Sequence, residues 1–83
     1  MKEIDSLRPD DEVKVVVWGP EGNSLYQSTN KGYHNLEMAV NETLDKSKLE
    51  INPEDCVFEI SNLSNGVTHR YRLNAHGHLK LII

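Results

Sequence analysis

The stretch Cys56-Val57-Phe58-Glu59-Ile60-Ser61-Asn62-Leu63-Ser64-Asn65-Gly66-Val67-Thr68-His69-Arg70-Tyr71-Arg72-Leu73-Asn74-Ala75-His76-Gly77-His78-Leu79-Lys80-Leu81-Ile82-Ile83 decides the fold. Its first part alternates, with Cys56, Phe58 and Ile60 on one side. Asn65-Gly66 is a strong short hairpin signal, because a two-residue turn needs φ > 0 at both positions. Such a turn sets Ile60 against Tyr71, Phe58 against Leu73, Cys56 against Ala75 and Glu59 against Arg72. A four-residue loop keeps the same parity. A three-residue loop sets Ile60 against Arg70 and is rejected, since a one-residue slip exchanges the faces. The second turn reads as the three-residue loop Ala75-His76-Gly77. It sets Leu73 against Leu79 and Tyr71 against Leu81, with Gly77 in the left-handed position. The expectation is a three-stranded meander. Cys56, Phe58, Ile60, Tyr71, Leu73, Leu79 and Leu81 are expected to be buried together, with Arg70 and Arg72 exposed.

Upstream, a helix is expected over residues 35–47. Leu36, Ala39, Val40, Thr43 and Leu44 recur at helical spacing. Asn35 is placed to cap the start, and Glu42 and Lys46 form an i,i+4 pair. Asn52-Pro53 ends any helical run. Before the helix, Glu12–Trp18 reads as a strand, with Val13, Val15 and Val17 on one side and Val16 and Trp18 on the other. Apolar character on both faces points to an internal strand. Gly19-Pro20-Glu21-Gly22-Asn23 is a turn, and residues 24–28 read as a short returning strand. Arg8-Pro9-Asp10-Asp11 is a turn at the end of a loosely ordered segment, residues 1–10. The run Leu7–Val13 ahead of the valines is similar to the opening of many small phage and mobile-element proteins. It is turn chemistry before a strand, and nothing is carried over from it.

The fold class is therefore α+β. One helix lies on one face of a four- or five-stranded, mostly antiparallel sheet, in the order β-(β)-α-β-β-β, within one small domain. The apolar run Leu79–Ile83 is a hazard as an exposed edge. It is expected to pair with residues 13–18, and the rival is an edge-strand homodimer.

The chain has 83 residues, 9 Lys+Arg and 13 Asp+Glu, a formal net charge of −4. A chain of this size has a thin core and little room for a deep cleft. Its longest apolar run is far below a membrane span, and no secretory signal is legible at the N-terminus. A single cysteine forms no internal disulfide. A cytoplasmic protein with no membrane association, monomeric by preference, is the expectation. All 13 acids lie in residues 1–59, whereas residues 60–83 carry only Arg70, Arg72 and Lys80 as charged side chains. The C-terminal third is a basic patch on an acidic protein.

No constellation of reactive groups stands out. His76-x-His78 with His69 lacks a carboxylate or thiol to complete a metal set. Cys56, paired on paper with His69 or His34, falls on the buried face, where a thiol is inert. The glycines of residues 19–24 do not open a helix behind a Lys, as a phosphate loop requires. No catalytic residue, cofactor or metal ligand is assigned, and no enzyme is expected. The candidate interaction surface is Arg70, Arg72, Lys80 and Trp18. The expected function is a small non-enzymatic module that binds a protein partner through its sheet edge or outer sheet face. The alternative is a nucleic-acid-binding accessory protein using the basic meander, disfavoured because Tyr71 and Phe58 point inward and leave no stacking platform.

Overall fold

The computed structural model describes residues 8–82. The elements are β1 (Val13–Trp18), β2 (Ser24–Asn30), α1 (Leu36–Ser47), a 3₁₀ turn (Pro53–Asp55), β3 (Val57–Asn62), β4 (Val67–Leu73) and β5 (Leu79–Leu81). One antiparallel sheet runs β2-β1-β3-β4-β5 with α1 on one face. Of the expected loose N-terminal segment, residues 1–7 lie outside the described residues. Arg8–Asp11 closes as a turn, the Asp11 N–H donating to the Arg8 carbonyl at 2.9 Å.

Helix formation follows the local signals. The Asn35 side chain accepts the Met38 N–H at 2.9 Å, and Lys48 ends the helix in the left-handed region. Leu36, Ala39 and Val40 are buried in one cluster with Val13, Val15, Val17, Phe58 and Ile60, and Thr43 is buried as well. Each of the larger apolar side chains contributes about 1.5–3 kcal/mol on burial. The Thr43 hydroxyl, 2.9 Å from Ser28 Oγ, ties the helix to β2. Pro53 does not merely stop a helix. It opens the 3₁₀ turn, capped by Asn52, whose side chain accepts the Glu54 N–H at 3.1 Å.

Three expectations are corrected. First, β5 does not pair with β1. β2 occupies one side of β1 and β3 the other, so both ladders of β1 are filled. Its two-sided apolar pattern does mark an internal strand, but the polar β2 supplies the missing neighbour. β5 is left at the sheet edge beside β4, only three residues long and bearing Lys80. The Leu79 N–H donates to the Glu37 carboxylate at 3.3 Å, which occupies one edge donor. Shortness, charge and an occupied donor are ways in which an edge avoids unwanted pairing.

Second, the first hairpin closes through the four-residue loop Leu63–Gly66, not a two-residue turn. Phe58 faces Tyr71, Glu59 faces Arg70 and Asn62 faces Val67. Gly66 takes φ +77°, while Asn65 stays at negative φ, so the two-residue turn is not made. Asn62 is drawn inward instead, its amide donating to Asp11 Oδ2 at 3.0 Å and its carbonyl accepting the Ser64 N–H at 2.9 Å. The shift of two residues preserves the faces and changes the partners. The second hairpin has the expected register, with Leu73 opposite Leu79 and Tyr71 opposite Leu81.

Third, the buried set is smaller than expected. Cys56, Phe58, Ile60 and Tyr71 are buried, Leu73 and Leu79 are half-buried, and Leu81 is 41% exposed. The helix lies chiefly over β1 and β2, so the β5 end of the inner face has no full cover.

Candidate functional site

The face of the sheet away from α1 carries the candidate surface. Alternation puts Lys14, Val16 and Trp18 of β1 on this face, with Val57, Glu59 and Ser61 of β3. Thr68, Arg70 and Arg72 of β4 and Lys80 of β5 complete it on one side. Trp18 is opposite Val57, and Arg72 is opposite Lys80. One further step along the β3–β4 ladder sets Val57 beside Arg72. Trp18, Val57, Arg72 and Lys80 therefore form one row across four strands. Neighbouring strands are about 4.8 Å apart, so the row is about 14 Å long.

At the Trp18 end the row sinks into a cleft of about 270 Å³, lined by Trp18, Val57, Arg70, Arg72 and Asp55 and closed by the β1–β2 turn at Gly19, Pro20 and Gly22. That turn is held by the Gly19 N–H to the Asn23 carbonyl at 2.8 Å and the Gly22 N–H to the Gly19 carbonyl at 3.0 Å. A strand follows it, so no helix N-terminus stands behind the glycines.

Glu59 organises the next row. Its carboxylate accepts the Trp18 indole N–H at 3.4 Å and the Arg70 Nε–H at 3.3 Å. The Arg70 guanidinium also lies over the Trp18 ring, 5.9 Å from its centre. Each link is weak at an exposed site: the ion pair contributes about 0–1 kcal/mol and the cation–π contact about 0.5–1 kcal/mol. An incoming group can rearrange them at small cost.

The structure thus brings Trp18, Arg70 and Arg72 around one cleft and sets Lys80 next to Arg72. Sequence reasoning paired Glu59 with Arg72. The two-residue shift gives Glu59 to Arg70 and leaves Arg72 facing another cation. Reading the meander alone also missed a stacking surface, which comes from Trp18 on β1. Val57 and Asp55 were not singled out. The even-numbered alternation Val16–Trp18 is the signal that places Trp18 outside, but only the β1–β3 register puts it beside Val57.

The other candidates lie elsewhere. His69 is on the inner face, edge-on to Tyr71 with ring centres 6.4 Å apart, while His76 and His78 are exposed in the β4–β5 loop. Among the described residues no group of three His, Cys, Asp or Glu side chains is placed to hold a metal ion. Cys56 is fully buried; burial, with a smaller contribution from Asp55, pushes its thiol above its ordinary value. No helix among the described residues is long and apolar enough to cross a membrane. None of the protein-family models, curated proteins or solved structures compared with the chain matches it.

Proposed function

We propose that this protein is a small non-enzymatic interaction module, cytoplasmic and monomeric, that binds a protein partner through its outer sheet face. The carrying observation is the cleft in which Trp18 and Val57 form an apolar wall beside the Arg70 and Arg72 guanidinium groups. Trp and Arg dominate the energetics of protein interfaces, since both combine a large contact area with directional donors. The outer face suits this role better than the sheet edges. β5 is short and has one donor occupied by Glu37, and β2 is polar.

A second reading, single-stranded nucleic-acid binding, is favoured by one observation: an aromatic ring and four cations, Lys14, Arg70, Arg72 and Lys80, share this face. Asp55 in the cleft wall counts against it, because it repels a phosphate chain, and Glu59 offsets the charge of Arg70.

The test is affinity capture from lysate with and without nuclease treatment, with the wild type and a Trp18→Ala, Arg72→Ala double variant as baits. A protein retained by the wild type and lost by the variant supports the outer-face reading. Capture that disappears with nuclease treatment moves the assignment to nucleic acid. A protein held equally by both baits removes the outer face from consideration.

A further inference from the structure

The Arg72–Lys80 pair is the least compensated feature of the surface. Two cations directly opposite each other on an antiparallel ladder repel. Neither has an ion-pair partner among the described residues, although the chain carries 13 carboxylates. The adjacent row, by contrast, is neutralised by the Glu59–Arg70 pair. An unneutralised guanidinium offers a planar fork that a carboxylate fills with two parallel hydrogen bonds. Along the same row, Val57 and Trp18 turn apolar surface toward the cleft.

The row is polar in one direction. Its β5 end is cationic, its middle is apolar, and its Trp18 end meets Asp55 in the cleft wall, with Glu59 already paired to Arg70. A phosphodiester chain repeats its charge at every nucleotide and would carry a phosphate toward the Asp55 carboxylate. A segment with one carboxylate followed by an apolar side chain meets no such repulsion. In an extended peptide, side chains two residues apart point the same way at about 7 Å. A point midway between Arg72 and Lys80 lies one and a half strand spacings, about 7 Å, from Val57, which matches that distance, and Trp18 lies one spacing, about 5 Å, farther along the row.

We propose that the Trp18–Lys80 row binds an extended acidic–apolar peptide segment. Its carboxylate lies between Arg72 and Lys80, and a large apolar side chain two residues away fills the cleft on Val57 and Trp18. This assignment rests on the outer-face reading above and names the chemistry of its partner.

Trp18 is the only tryptophan in the chain, so its fluorescence reports on the cleft directly. The probes are an acetylated, amidated eight-residue peptide with leucine and glutamate two residues apart, its glutamine counterpart, and octathymidylate. The expected result is a saturable change with the glutamate peptide, at least tenfold weaker binding of the glutamine peptide, and a loss of that tenfold preference in Arg72→Ala. Lys80→Ala should reduce the preference by a smaller factor. Equal binding of the two peptides, no binding of either, an unchanged preference in Arg72→Ala, or tighter binding of octathymidylate would each overturn the proposal. Circular dichroism of the variants, whose substituted side chains are exposed, checks that the fold is retained. If the capture experiment yields a nuclease-resistant partner dependent on the outer face while neither peptide binds, the acidic–apolar occupant is wrong and the interaction reading stands.

Discussion

Replacing Asn62 by Ala probes the interaction that sets the first hairpin. Asn62 is 1% exposed at the end of β3 and makes two side-chain hydrogen bonds, to Asp11 and to the Ser64 N–H. Each contributes about 0.5–1.5 kcal/mol net, so their loss with the small void left behind is expected to cost about 2–3 kcal/mol. A domain of this length has a total stability of only about 4–12 kcal/mol. The midpoint of thermal unfolding should fall by about 8–20 °C. Urea unfolding at pH 7, followed by circular dichroism, measures the loss. The pH dependence provides a second check. The Arg8 backbone N–H, then the Asn62 amide, hold the Asp11 carboxyl below its ordinary value of 3.8. A carboxyl depressed in the folded state contributes stability that is present above 3.8 and lost as pH falls through its folded value. Asn62→Ala should weaken that acid dependence. Asn62→Asp sets a second carboxylate against Asp11, so it should be less stable than Asn62→Ala at pH 7, with the gap closing toward pH 4. A loss below about 0.5 kcal/mol for Asn62→Ala, within the range of ordinary surface changes, would mean that these two hydrogen bonds do not hold the first hairpin.

Gly77→Ala should cost about 1–2 kcal/mol in the same urea assay, because Gly77 sits at φ +82° and the added methyl meets no neighbour that could offset the strain. An unchanged midpoint would count against the three-residue loop. Cys56, the only cysteine, should resist alkylation at pH 8 at a rate set by unfolding, since its thiol is fully buried and held protonated by burial. Labelling as fast as that of a free thiol, with the protein folded, would contradict its placement in the core.

Elements governed by local chemistry were legible in the sequence. The cap at Asn35, the Glu42–Lys46 pair at 2.9 Å and the Ala75–Gly77 loop all depend on neighbours within a few residues. The strand returning from the Gly19–Asn23 turn was legible, although it runs on to Asn30, whereas the choice of β3 rather than β5 for the other side of β1 was not, because it is a tertiary outcome. The hairpin register was only half legible. Parity follows from alternation, but the shift of two residues depends on Asp11 reaching Asn62 across 51 positions. The site inherited both gaps. Arg70, Arg72 and Lys80 stood out as an acid-free run, whereas the cleft that gives them a shape needs β1, the 3₁₀ turn and the shifted register together.

Recognition through the outer sheet face, as proposed, has a direct readout in side-chain NMR. The Trp18 indole N–H and the Arg70 and Arg72 Nε–H groups give separate resonances in a nitrogen-15-labelled sample titrated with the leucine–glutamate peptide. All three are expected to shift together and saturate at one affinity, while the Leu81 amide, on the open edge of β5, stays in place. Shifts confined to the β5 edge, with the Trp18 and Arg72 side-chain signals unmoved, would contradict recognition through that face.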